Sequence, residues 1–242
     1  MKKASIFIMA LLFTFSFTAC GNGNNETTLP KEGVIEKSDE DLSTSDGQQT
    51  QQSLDGEKTE SGSKILITYF IVPETDGVDT VSGASRVVKD GEVLGNTEFI
   101  AKEIQKNLGG DLFAIETVQK YPGEHQDLLD FAYDELDKNA RPELSGKIEN
   151  LDSYDVVLVG YPNWNADLPM PLYTFFETYD FAGKTIIPFV THGGSGFSDT
   201  VNTIKELEPD AEVISEGLSI SRNDVANAQA DVKEWTDALL KN

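Results

Sequence analysis

Five runs rich in β-branched and aliphatic residues recur between residues 64 and 220, and each is followed by a stretch of helical periodicity. The runs at 64–72, 154–160 and 184–191 are nearly continuous in their apolarity, without the in–out alternation of a half-exposed strand. A strand of that kind must be covered on both faces, as in a parallel sheet with helices above and below. Parallel neighbours also need a crossover, and the intervening stretches are long enough to supply one as a helix. The pattern predicts an α/β fold built on a doubly wound, five-stranded parallel sheet.

The expected strands are 64–72, 111–116, 154–160, 184–191 and 212–220; the expected helices are 96–108, 124–139, 169–178, 198–207 and 224–240. The first helix aligns Ile100, Ile104 and Leu108 and stops at Gly109-Gly110. The second directs Leu128, Leu129, Phe131 and Leu136 inward. Ser198 and Asn223 are of the types that cap helix N-termini, and Val225, Ala228, Val232, Trp235 and Leu239 form the stripe of the last helix. Pro188 removes one ladder donor from the fourth strand.

Ahead of this domain the sequence reads differently. Met1-Lys2-Lys3 and the apolar run from Ile6 to Phe13 resemble a secretory signal, too short to span a bilayer. The run ends Phe17-Thr18-Ala19-Cys20, which resembles the bacterial lipobox, so residues 1–19 are expected to be removed and Cys20 to be lipidated. Two acyl signals at one terminus would anchor the chain stably. Residues 20–62 are rich in Gly, Asn, Ser, Thr and Gln, and their acids outnumber their lysines. Such a segment buries too little apolar area to fold and reads as an acidic tether, ~35 Å in reach. The folded domain is then 63–242, exported and held to the cell membrane on its extracytoplasmic side.

The 19 basic residues stand against 42 acidic ones, for a net charge of −23. That excludes a nucleic-acid surface and leaves Cys20 as the only expected membrane contact. One cysteine rules out an intrachain disulfide, a Cys-ligated iron–sulfur cluster and a Cys-rich zinc site; two histidines argue against a multi-His metal centre.

Sheets of this kind bind ligands beyond the carboxyl ends of their strands. Three loops leave that edge. The first runs from Val72 and ends at Gly95-Asn96-Thr97, where helix-terminal amides and a hydroxyl suit a phosphate as well as they suit a simple cap. The second, Pro162-Asn163-Trp164-Asn165-Ala166, offers an aromatic wall and edge hydrogen bonds for a planar ligand. The third, His192-Gly193-Gly194-Ser195-Gly196-Phe197, lets the backbone approach a ligand closely. A serine hydrolase reading of that stretch needs a glycine where Phe197 stands.

These loops, with Tyr69-Phe70, Gly109-Gly110-Asp111-Leu112-Phe113, Asn139-Ala140-Arg141-Pro142, Gly160-Tyr161-Pro162-Asn163-Trp164 and Gly183-Lys184-Thr185, give 64–242 a pattern that resembles the flavodoxin-like family, in its branch of bacterial lipoproteins and small flavoproteins. The resemblance implies strand order 2-1-3-4-5 and noncovalent FMN, with the phosphate at Gly95, Asn96 and Thr97. It places the isoalloxazine between the Trp164 loop and the 192–197 loop, and leaves His192 to hydrogen-bond the flavin or guide a proton. Ile71 stands where the family usually has a hydroxyl residue, and Asn165 and Ala166 where members often carry a second Trp and a Gly. The function implied is electron transfer to a small-molecule or protein redox partner. The alternatives are an NAD(P)H-dependent flavin or quinone reductase and a non-catalytic surface binding module. No G-x-G-x-x-G fingerprint is visible, which favours the carrier.

Overall fold

The computed structural model describes residues 64–72, 86–89 and 91–241. The signal, Cys20 and tether expectations lie outside the described residues, as does most of the first loop. Strand β1 (Ile65–Phe70) is followed by the short strands β2 (Arg86–Lys89) and β3 (Glu92–Gly95) and by helix α1 (Asn96–Leu108). Then come β4 (Asp111–Ile115), α2 (His125–Asp137), β5 (Val156–Pro162), α3 (Met170–Thr178) and β6 (Thr185–His192). The chain ends with α4 (Thr200–Leu207), β7 (Glu212–Val213), β8 (Leu218–Ser221) and α5 (Gln229–Leu239).

The sheet runs β4-β1-β5-β6-β7, with β8 pairing β6 further along, and every pairing in it is parallel. With β7 and β8 taken as one strand, this is the 2-1-3-4-5 order. Alternate strand residues feed two cores. Leu66, Phe70, Val157, Val159, Tyr161, Ile186 and Val190 pack with Leu128 of α2, Leu172 and Phe175 of α3 and Ile204 of α4. Ile67, Leu158, Ile187 and Phe189 pack with Phe99, Ile100 and Ile104 of α1 and Val232 of α5. Burial on both faces is why these strands needed unbroken apolar sequences. Gly160 has a packing reason of its own: a Cβ there would sit 2.1 Å from the Phe189 ring.

Four expectations require correction. The fifth strand is not continuous over 212–220; β7 pairs Thr185 and Ile186, whereas β8 pairs 189–192. The gap faces Pro188, which has no N–H to donate, and the backbone at Gly217 comes so near that a Cβ would lie 2.1 Å from the Pro188 carbonyl oxygen. The fourth helix starts at Thr200 with Asp199 at its cap, because Ser198 is left-handed (φ 51°) and its hydroxyl accepts from Asn163 Nδ2. Asn223 caps no α-helix: a 3₁₀ turn (Val225–Asn227) intervenes before α5. The buried stripe of α2 is Leu128, Ala132 and Glu135, and Leu129, Phe131 and Leu136 are only half-buried. The Glu135 carboxylate is kept inside by the Tyr121 hydroxyl (2.8 Å) and by Gln119.

One element was not expected. The end of the long first loop is an antiparallel hairpin, β2 against β3, that opposes Arg86 to Gly95 and so leads straight into α1.

Candidate functional site

The carboxyl ends of β5 and β6 lie side by side, Pro162 opposite Thr191, and the two loops that leave them are tied together. Asn163 does most of this. Its backbone N–H donates to the Thr191 carbonyl (2.9 Å), and its Nδ2 donates to the Gly196 carbonyl (2.9 Å) and the Ser198 hydroxyl (3.1 Å). Its Oδ1 is buried and has no partner.

Trp164 follows at 6% exposure, edge-on to Phe70 (5.5 Å between centroids) and Tyr121 (5.8 Å). Its indole N–H is also buried without a partner. Asn165 and Ala166 then turn the chain with φ of 56° and 64°, and Trp164 and Asp167 exchange both backbone hydrogen bonds across them. Two consecutive left-handed residues are the mark of a tight mirror-image turn, for which glycine is preferred at the second position. Here an alanine occupies it.

Between these loops and α2 lies a cavity of about 310 Å³. It is lined by Asn163, Trp164, Asn165 and Ala166 on one side and Gly193 and Ser195 on another, with Leu128, Leu129, Ala132 and Tyr133 of α2 closing it. That is within the size range of small-molecule pockets, and the mixture of apolar wall with a few polar groups suits a flat, partly polar ligand. The two orphaned groups, an acceptor on Asn163 and a donor on Trp164, belong to residues of its wall. Buried polar atoms without partners are costly, so their presence in a ligand-sized cleft fits a polar occupant.

His192 ends β6 at 9% exposure. Its Nδ1 accepts from the Gly194 N–H (3.0 Å), which places the ring proton of the neutral form on Nε2. Burial lowers its pKa, opposed in part by the Asp224 carboxylate, so the imidazole is neutral at pH 7. The same hydrogen bond occupies the Gly194 amide, leaving Gly193 and Ser195 to line the cleft.

The third predicted group stands apart. Gly95 is the N-cap of α1, and its lack of a side chain is required by Ile71, whose Cγ1 would lie 2.2 Å from an added Cβ. Thr97 is fully buried and shares a hydrogen bond with Thr191 (2.8 Å between hydroxyl oxygens), linking α1 to the end of β6. Asn96 is 1% exposed, and both polar atoms of its side chain lack partners. Ile71, Gly95, Asn96 and Thr97 are thus brought to the same sheet edge, but none of them lines the 310 Å³ cleft. Sequence reasoning missed the α2 wall and the Phe70–Tyr121 clamp behind Trp164. The helical period of α2 could have pointed to its wall; nothing in the irregular segment around Tyr121 pointed to the clamp.

Residues 87–239 match a family model described as flavodoxin. A curated flavodoxin of Haemophilus influenzae is 29% identical over 138 residues, which is 51% of this chain and 62% of that protein. The chain therefore spans less than two thirds of the length of the curated relative it matches. Among solved structures, a candidate flavoprotein from Bacteroides uniformis is 26% identical with a TM-score of 0.56, covering 73% of this chain and 99% of its own. Another from Bacteroides eggerthii is 26% identical with a TM-score of 0.51, covering 74% and 99%.

Proposed function

The chain belongs to the flavodoxin family, and from that premise we propose that it binds FMN noncovalently and works in electron transfer. The observation that carries this reading is the cleft of about 310 Å³ at the carboxyl ends of β5 and β6, walled by Asn163, Trp164, Gly193 and Ser195 and by apolar side chains of α2. FMN, when bound, supplies the redox chemistry. The protein supplies position and environment. Asn163 holds the two loops together through its backbone N–H and its Nδ2. Leu128, Leu129 and Ala132 exclude water from one side. The neutral His192, its Nδ1 already engaged, carries no positive charge to stabilise a reduced, anionic ring. Together with a net charge of −23, that favours a low potential.

The cellular setting is part of the same proposal. Cleavage before Cys20 and lipidation of its thiol would leave the domain on the outer side of the membrane, on an acidic tether, where a small-molecule or protein redox partner could reach it. A carrier is favoured over an NAD(P)H-dependent reductase because no dinucleotide fingerprint accompanies the flavin loops.

The test is direct. The purified protein is mixed with FMN, freed of excess, and examined for bound absorbance with quenched fluorescence. Retention at micromolar concentration or better is expected, with a potential below that of free FMN. Failure to retain flavin at high protein concentration overturns the reading and leaves a binding module on a flavodoxin scaffold. Mass spectrometry of the membrane fraction should find a diacylated Cys20; Cys20→Ala should release the protein.

A further inference from the structure

The segment Asn139-Ala140-Arg141-Pro142 lies between α2 and β5, and none of it lines the 310 Å³ cleft. Its arginine nevertheless connects two of the structures that wall that cleft. One is α2, which supplies Leu128, Ala132 and Tyr133; the other is the turn that supplies Trp164, Asn165 and Ala166.

Helix α2 gives way to Asn139, left-handed at φ 48°, whose N–H returns to the Leu136 carbonyl (3.0 Å), while the Ala140 N–H returns to that of Glu135 (2.9 Å). Arg141 Nη1 donates to Asn139 Oδ1 (2.8 Å) and to the carbonyls of Asn139 (3.1 Å) and Ala140 (3.0 Å). A cation suits this negative end of the helix. The same guanidinium reaches α3 in two ways. Its Nε donates to both carboxylate oxygens of Glu177 (2.8 Å each), and its Cζ lies 4.9 Å from the centroid of the Tyr173 ring.

Tyr173 carries the connection onward. Its hydroxyl donates to Asp167 Oδ1 (3.0 Å), which also accepts the Leu168 N–H (2.7 Å). Burial and the Asp167 carboxylate push the phenol's pKa up, so it stays protonated and keeps donating. Asp167 in turn exchanges both backbone hydrogen bonds with Trp164 across Asn165 and Ala166. Those two residues are left-handed and neither is glycine, so the turn is held against its backbone preference and needs anchors.

An exposed ion pair adds little stability by itself. The pairs Lys102–Glu98, Lys106–Glu103, Lys138–Asp134 and Lys233–Asp237 each join residues three or four apart in sequence. Arg141–Glu177 instead joins residues 36 apart, and with Tyr173 it links three separate parts of the chain. We propose that Arg141 and Tyr173 are positioning residues of the cleft: together they tie the end of α2 to the Asp167 turn and so fix the spacing between the α2 wall and Trp164. The ligand served by that spacing is FMN, so the inference rests on the reading above.

The experiment uses the whole protein carrying Trp235→Phe, which leaves Trp164 as the only indole. Into it go Arg141→Gln, Arg141→Lys, Tyr173→Phe and the double variant Arg141→Gln with Tyr173→Phe. Lys233→Gln, which breaks an exposed pair on α5, is the control. Two quantities are measured: affinity for FMN and for riboflavin, and the emission maximum of Trp164 without ligand. Each single variant is expected to weaken both flavins equally, about three- to tenfold, and to shift Trp164 emission to the red; the control changes neither. Lysine keeps the charge but not the fork or the planar face, so Arg141→Lys should behave like Arg141→Gln. The double variant should lose little more than the worse single one, because the two residues act in one chain of contacts. Affinities within about twofold of native in every variant, losses that multiply in the double variant, or native behaviour of Arg141→Lys overturn the inference. If the native protein retains neither flavin, the FMN reading falls, and Trp164 emission alone decides the brace: a red shift in the variants sustains it. An unmoved Trp164 band refutes it with or without flavin.

Discussion

Replacing Ala166 with glycine should stabilise this protein, the reverse of the usual effect. Ala166 is exposed and has φ of 64°, so its methyl group adds little packing and is strained by the left-handed backbone that the turn imposes. That conformation costs an L-residue with a Cβ about 1–2 kcal/mol relative to glycine. Glycine returns part of the gain, about 0.4–1 kcal/mol, through the larger freedom of the unfolded chain. The net is a stabilisation of about 0.5–1 kcal/mol, which for a domain of this size raises Tm by roughly 2–3 °C. Thermal unfolding followed by circular dichroism measures it, with Ala230→Gly as the control. Ala230 is equally exposed but lies in α5, where glycine should lower stability by about 0.5–1 kcal/mol. A loss of stability in Ala166→Gly, parallel to the control, would refute the assignment of strain to this turn.

Three further outcomes are expected. Gly160→Ala drives a methyl into the Phe189 ring and should cost about 1–3 kcal/mol in urea unfolding, with much of the loss recovered when Phe189 is shortened to Leu. Burial and the Asp180 carboxylate push Glu208 up to about 7; since its folded pKa lies above its unfolded one, stability falls as pH rises from about 4.5 to 7. Glu208→Gln should therefore match the native protein near pH 4 and exceed it by about 1–2 kcal/mol at pH 8 in urea unfolding. For His192 the folded pKa is depressed, so stability is lost as pH falls below about 6.5; ring NMR should give a midpoint below that value, and Asp224→Asn should lower it further.

How much of this was legible in the sequence follows from which forces are local. Strands β1, β5 and β6 and helices α1 and α3 declared themselves because burial on both sheet faces leaves an apolar imprint that period and length reveal. The break between β7 and β8 did not, since it depends on Pro188 of the neighbouring strand, 25 or more residues away in sequence. The β2–β3 hairpin had a local signal in Asp90-Gly91 between Val87-Val88 and Val93-Leu94, and the length of the first loop obscured it. At the site, topology alone put the three loops at one sheet edge. What each side chain does there was hidden. Trp164 lies edge-on to Phe70 and Tyr121, the Gly194 amide is taken by His192, and Glu135 is buried through Tyr121 and Gln119. Each is a long-range contact, or a loop conformation, on which residue type is silent.

Thr191 shows why the cleft can be both narrow and ready. Its carbonyl receives the Asn163 N–H, its hydroxyl meets that of Thr97, and in the sheet it lies between Pro162 and Ile220. One fully buried residue near the end of β6 therefore sets the Trp164 loop, the start of α1 and the turn after β8 relative to one another. Elements so fixed cannot drift apart to admit a ligand, and they need not reorganise to hold one; the ordering cost is met in folding, not in binding. The unpartnered atoms of Asn96, Asn163 and Trp164 are then the residue of that rigidity. A looser edge would have let them turn to water or to one another.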